Sequence, residues 1–342
     1  MKAGVYRGKG KIVYEEIPDP VVGEHDILLR VSSCGICGSD LHVYSEGWAS
    51  DGMVLGHEYS GVVAATGPKV TRHAVGDRLA VIPAVACGNC MACQNGRTNL
   101  CEHPAGKAGG YAELVALPEN VTAFRVPETT SLEAAAFLEP LSVAVRAVNQ
   151  AALGPADAVV VVGLGSIGLS VLQVLRDRGV AAIIAADLSP RRLELARRLG
   201  ADVVLNPLHD DVPARVKEVL GQSSHRGYES SRARVVFECS GAGQVVGPAI
   251  TELVTPGGTI VMVALFEQPV TIDPNPLVRK EVSLIGSYAY TQEDWKQAFG
   301  LLVEGRVDVL ATVTHRVPLA QVDEAFRMQL NKSDAVKVLV TP

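Results

Sequence analysis

No uncharged apolar run in the 342-residue chain reaches the ~20 residues that a membrane-spanning helix needs. The sequence therefore predicts a protein that does not cross a membrane. The opening stretch MKAGVYRGKGKIVYEE lacks the apolar core of a secretory signal, which predicts a cytoplasmic location. Positive charge is not in excess either. Lys and Arg number 31 against 37 Asp and Glu, a net charge of -6. No basic stripe is available to neutralise phosphates, so nucleic acid is not an expected partner. Internal repeats and low-complexity runs are absent. What remains is 48% hydrophobic and 20% charged, with 33 Gly and 19 Pro. That is the composition of a globular α/β enzyme, at a length that suits about two domains.

Seven cysteines stand at 34, 37, 87, 90, 93, 101 and 239. In a reducing compartment, clustered cysteines read as metal ligands before disulfides. Cys87, Cys90, Cys93 and Cys101 lie in the loop CGNCMACQNGRTNLC, a spacing that suits one closed tetrahedral zinc site. An iron–sulfur cluster is the competing reading of the same ligands.

Residues 1 to about 140 read as short strands broken by Gly and Pro, among them ILLRVSSCG, GHEYSGVVAATG, GDRLAVIP and YAELVALP. This pattern predicts an antiparallel or barrel-like domain. A helical periodicity begins at SLEAAAFLEPLSVAVRAVNQAA. From there strands alternate with helices: AVVVVG, SIGLSVLQVLRDRG, AAIIAAD, SPRRLELARRLG, DVVLN, ARVVFECSG and GGTIVMVAL. That βαβ order predicts a doubly wound parallel sheet, completed by EVSLIGS near residue 287. A helix QEDWKQAFGLLVEG and a strand AVKVLVT are expected in the tail, and 209–233 reads as polar and partly helical.

The motif GLGSIG follows the strand VVVV and opens a helix. Gly163 permits the tight turn, Gly165 the approach of a pyrophosphate, and Gly168 the packing of helix on strand. With Ser166 and Ile167 between them, these residues form a candidate dinucleotide site in which the helix N-terminus faces the phosphates. Asp187 lies 19 residues beyond Gly168. Its carboxylate suits the ribose hydroxyls of NAD and repels a 2′-phosphate. Arg191 and Arg192 follow and are able to attract the 2′-phosphate of NADP, but the Asp187 carboxylate stands where that phosphate would go and favours NAD. Arg192 is counted with the cofactor site.

Taken in order, CGICGSDLH, GHE, the four-cysteine loop, EPLSVAV and GLGSIG resemble the zinc-containing medium-chain alcohol and polyol dehydrogenases over essentially the whole chain. The resemblance implies an α/β fold with a GroES-like, β-rich, zinc-binding catalytic domain at 1–140 and 288–342. A Rossmann NAD-binding domain is implied at 141–287. It also implies a catalytic zinc held by Cys37, His57, Glu58 and Glu139, with Glu58 a ligand or near-ligand and Glu139 bound directly or through water. Ser39 and His42 match the family's proton relay. The first cysteine of CGIC, Cys34, is not a ligand in that family, and Asp40 reads as a support for a ligand side chain. Cys239 reads as a small core residue.

The Glu-Pro-Leu context resembles the sorbitol, idonate, threonine and 2,3-butanediol dehydrogenases. The implied activity is hydride transfer between NAD and a secondary alcohol, most naturally a diol, polyol or sugar-derived alcohol, in a homodimer or homotetramer joined through the cofactor domains. A threonine-type amino-alcohol dehydrogenase and a non-catalytic zinc-stabilised NAD-binding regulator are the alternatives. Two features depart from the branch. The segment after Cys101 is short, and Ala289 stands where many sorbitol- and idonate-type members carry Arg. Tyr44, Trp48, Tyr288 and Tyr290 are either pocket or core residues.

Overall fold

The computed structural model describes residues 1–106, 109–331 and 334–342, with the side chains of residues 84 and 122 left aside. In chain order the elements used below are as follows. Strands β1 to β5 are Asp26–Gly35, Glu58–Thr66, Arg78–Ile82, Leu114–Pro118 and Thr122–Arg125. Strands β6 to β11 are Ala158–Val162, Ala182–Ala186, Val203–Leu205, Ala233–Glu238, Val254–Met262 and Ser283–Gly286, and β12 and β13 are Val313–Pro318 and Lys337–Thr341. Helices α1 to α5 are Gly38–Glu46, Leu138–Gln150, Ser166–Arg178, Pro190–Arg198 and Val322–Leu330.

Two compact units result: Met1–Pro140 with Thr291–Pro342, and Leu141–Tyr290. The first is built on a seven-stranded sheet in the order β12-β13-β1-β2-β3-β5, with β4 also paired to β1. All of its pairings are antiparallel except β12 with β13. Inward residues alternate along β1, where Ile27, Leu29 and Val31 are buried, the period-two pattern of a half-buried strand. Strand β13 brings the end of the chain back to the beginning, with Leu339 opposite Gly35 and Val340 opposite Cys34. The core between sheet and helices includes Tyr44, Tyr59, Tyr111 and Phe326. The Phe326 ring lies 5.2 Å from Tyr44 and 5.3 Å from Tyr111.

The second unit is a six-stranded parallel sheet in the order β8-β7-β6-β9-β10-β11. Its central strands are apolar throughout, and Val159, Val160 and Val161 have no exposed surface, as a sheet covered on both faces requires. The expected doubly wound sheet and β-rich partner are both present. Ser189 caps α4 by accepting from Arg192 N, with Pro190 in the first turn, the pairing of cap and proline that starts helices. The polar stretch 209–233 holds a helix, Val212–Leu220, but also a hairpin, Gln222–His225 with Tyr228–Ser231. The hairpin turn carries Arg226 and Gly227 at positive φ, a turn-driven strand pair that composition does not announce.

Among the described residues no helix is long and apolar enough to cross a membrane. Phe326 is fully buried and braces Tyr111, whose hydroxyl reaches the site described next. Phe326→Ala is expected to lower stability by about 3–5 kcal/mol, read from the urea midpoint with unchanged slope. A loss below about 1 kcal/mol would show that this core collapses around the gap.

Candidate active site

Cys37 is the N-cap of α1, and its backbone N–H donates to Asp40 Oδ2 at 3.2 Å. The helix therefore begins at the candidate ligand, and the residue three positions on turns back to hold it. His57 immediately precedes β2 and Glu58 opens it, facing Gly35 across the ladder. Donor atoms of Cys37, His57 and Glu58 all lie within 4.8 Å of one another. Glu139, in the first turn of α2, is buried but is not a member of this trio. Its charge is felt at Lys337.

Asp40 is 4% exposed. Its Oδ1 lies 3.4 Å from His57 Nδ1, and its Oδ2 accepts from the Tyr111 hydroxyl at 2.7 Å. Burial pushes the Asp40 carboxyl up, but His57, Tyr111 and the Cys37 N–H outweigh it and hold the acid below its ordinary range. A carboxylate on Nδ1 fixes the imidazole so that Nε2 is the nitrogen left for a metal. Burial alone would lower His57, and the charges of Asp40 and Cys37 reverse the sign and hold it well above its ordinary value. The cluster is an anionic, mixed sulfur–nitrogen–oxygen donor set, which suits zinc.

Ser39 is exposed on the first turn of α1 and His42 is half-buried one turn on. Residues three apart share a helix face. The His42 ring lies nearly parallel to that of Trp48, at 6.3 Å and 14°. Trp48 and Tyr288 are exposed at 72% and 62%, whereas Tyr44 and Tyr290 are buried. Cys34 is fully buried and outside the trio. Burial raises its thiol well above the usual range.

In the cysteine loop the four Sγ atoms also lie within 4.8 Å of one another, and Cys87 and Cys93 are 4.0 Å apart. All four thiols are free. Tetrahedral zinc with sulfur at about 2.3 Å places its ligands about 3.8 Å apart, close to what is seen. Cys101 Sγ accepts from Cys87 N at 3.2 Å and Cys90 Sγ from Glu102 N at 3.5 Å. Donation from Glu102 and Cys93 N–H groups draws the Cys90 thiol down to about 6, whereas desolvation pushes the Cys93 thiol up to about 12; a metal binds both as thiolates.

At the C-terminal end of β6, Gly163 has φ +90°, and a Cβ there would meet Ser240 N at 2.6 Å. A Cβ on Gly168 would lie 1.8 Å from the Gly163 carbonyl oxygen. Gly165, the N-cap of α3, has nothing within 4 Å of its would-be Cβ. Beside it Ser166 Oγ is buried with no protein partner, an orphan that a phosphate oxygen would satisfy. Asp187 accepts from Leu164 N at 2.7 Å and Ser189 N at 2.8 Å, and Arg192 Nη1 lies 3.8 Å from its Oδ2. Arg192 is thus drawn to the carboxylate.

Three contributors lie outside the sequence motifs. Glu238 is fully buried and accepts from Ser240 N at 2.8 Å and Gly241 N at 3.0 Å, and its burial raises its pKa. It pins the turn against which Gly163 packs. An acid inside the apolar run ARVVFECSG was the available signal. Tyr111, which steadies Asp40, carried no signal. Neither did Lys337, whose ammonium meets Glu58.

Gly168→Ala forces the fingerprint turn open and is expected to weaken NADH binding at least about tenfold, measured by nicotinamide fluorescence; an unchanged Kd would refute the tight-turn role. Cys93→Ser is expected to cost one bound zinc ion per chain by metal analysis, and full retention would disprove the four-thiolate site.

Residues 166–304 match the family described as zinc-binding dehydrogenase, and residues 23–128 match the alcohol dehydrogenase GroES-like domain. The chain is 34% identical to D-xylulose reductase A of Aspergillus oryzae, covering 98% of this chain and 95% of that protein. It is 32% identical to sorbitol dehydrogenase of Bacillus subtilis, covering 100% and 97%. Among solved structures, the 2R,3R-butanediol dehydrogenase of Bacillus subtilis superposes with TM-score 0.88 at 31% identity, covering 100% and 99%. With its GroES-like and parallel-sheet units and its two metal-ready clusters, the chain belongs to the zinc-binding medium-chain dehydrogenases.

Proposed function

We propose that the protein oxidises and reduces polyols or other vicinal diols with NAD, using a catalytic zinc at Cys37, His57 and Glu58 and a structural zinc at the four-cysteine loop. The observation that carries this reading is the donor trio itself. Its three side chains converge within 4.8 Å, and three protein ligands are the usual complement of a zinc site that keeps a position open for substrate. Zinc bound there supplies Lewis acidity toward a substrate hydroxyl, and NAD accepts the hydride.

The chain's own residues do the rest. Asp40 and Tyr111 orient His57, so that the imidazole does not turn away when substrate enters. Ser39 Oγ takes the hydroxyl proton and passes it toward His42, one helical turn along α1. With zinc bound, Glu139 would approach it through a water, in keeping with its place outside the trio. Gly165 and Ser166 receive the pyrophosphate at the start of α3. Asp187 binds the adenosine ribose and disfavours a 2′-phosphate, and Arg192 Nη1 is drawn toward that carboxylate. Ala289 stands where many sorbitol- and idonate-type members carry Arg, which favours small diols and polyols without a charged group.

The oligomer is proposed to form through the second unit. Among the described residues strand β11 is an edge strand paired only with β10, and its Leu284 is 41% exposed. An open apolar edge of this kind is covered in most soluble proteins, and a second copy of this chain would cover it.

A panel of sorbitol, xylitol, 2,3-butanediol and threonine, followed by NAD reduction, tests the substrate class. Polyols or diols are expected to exceed threonine in kcat/KM, and the reverse order would overturn the assignment. Cys37→Ala is expected to abolish turnover while NADH still binds; retained turnover would sink the metal mechanism.

A further inference from the structure

Lys337 is 2% exposed, and so is Glu58. The ammonium donates to Glu58 Oε1 at 2.9 Å, to Glu58 Oε2 at 2.6 Å and to the Ile36 carbonyl at 3.1 Å. An ammonium has three hydrogens, and all three are used inside the protein. None is left for a substrate, so Lys337 is not an acid in the reaction. What it touches is more informative. Ile36 is the residue before Cys37, and Glu58 is the residue after His57. One cation from β13 therefore ties together the two segments, 301 and 279 residues away in sequence, that carry the metal donors.

The strand register accounts for this reach. Leu339 lies opposite Gly35, Ile36 N donates to the Val338 carbonyl at 3.1 Å, and the strand start falls beside the turn that leads into α1. Gly35 leaves the carboxylate its space, since a Cβ there would lie 2.2 Å from Glu58 Oε2. The Glu58 carboxylate is thus gripped by a cation and packed against bare backbone. Charge points the same way. Glu58 and Asp40 place two carboxylates in a buried volume, and a buried anion persists only with a counter-charge and satisfied lone pairs.

We infer that Lys337 is a positioning residue of the metal centre: through its three hydrogen bonds it fixes Glu58 and the backbone before Cys37 in the arrangement the metal requires. This rests on the reading of Cys37, His57 and Glu58 as the catalytic metal site. Groups that orient metal ligands are worth about 10–100-fold in metal affinity, which sets the size of the expected effect.

The test uses the full-length protein with zinc kept at the four-cysteine loop and Co(II) placed at the Cys37 site. Affinity is read by competition with a chelator, and geometry by the visible absorption of cobalt. Lys337→Met is expected to weaken Co(II) binding by about 10–100-fold and to shift the visible bands, with Lys337→Arg recovering part of both. Because Lys337 acts through Glu58, adding Lys337→Met to Glu58→Gln is expected to change affinity little further. Unchanged affinity and bands in Lys337→Met would overturn the inference, and so would fully additive losses in the double variant. If Lys337→Met does not fold, Lys337→Gln, which keeps donors but loses the charge, carries the test. Altered bands then support the role and unaltered bands overturn it. Failure of the underlying site is separately visible, because Co(II) bands would then survive Cys37→Ala in an otherwise wild-type chain.

Discussion

The structure of the first unit turns on a repulsion. Beside a cysteine sulfur and an imidazole, two carboxylates cannot stay ionised and buried unless each is held. Every neighbour described above answers that demand. Asp40 takes the Cys37 N–H and the Tyr111 hydroxyl, and gives its other oxygen to His57. Glu58 takes two hydrogens from Lys337. The aromatic packing of Phe326 on Tyr111 is one step further out, so a purely apolar contact serves to aim a hydroxyl at an acid that aims a ligand. Helix cap, core and site are one mechanical chain in this unit.

How legible such a chain is in the sequence depends on the distance over which its links are made. The four-cysteine loop was readable because all its ligands fall within fifteen residues, and the local spacing alone fixes the geometry. The parallel sheet was readable because strands buried on both faces must be continuously apolar, as AVVVV and AIIAA are. Asp40 was readable in part, since a residue three beyond an N-cap can only turn back on it. The trio of Cys37, His57 and Glu58 needed the family resemblance, because nothing local joins residue 37 to residue 57.

What stayed hidden was hidden for physical reasons. Lys337 sits in AVKVLVT, a strand whose lysine reads as the solvated face of an alternating pattern. Only the register with β1 turns it inward, and register is a tertiary fact. Glu139 stands out through its Glu-Pro-Leu context and Glu58 through Gly-His-Glu; of the two, Glu58 lies with Cys37 and His57, because the segment entering β2 carries His57 and Glu58 side by side. The hairpin within 209–233 escaped because Ser, His and Glu offer no period-two signal, and its turn is set by Arg226 and Gly227 at positive φ.

The two units solve the problem of a fixed acid differently, and the difference follows from their sheets. In the parallel sheet the functional acids sit at the C-terminal ends of strands, where turns present free backbone N–H groups. Asp187 and Glu238 are accordingly held by N–H donors of their own or neighbouring turns, and no distant residue is required. In the antiparallel sheet the ladder consumes the backbone donors. An acid at the head of such a strand, Glu58, must be satisfied by a side chain, and the nearest one able to supply both charge and donors comes from the last strand of the chain. A cofactor acid could therefore be found by motif, whereas the support of a metal acid could be found only once β13 lay beside β1.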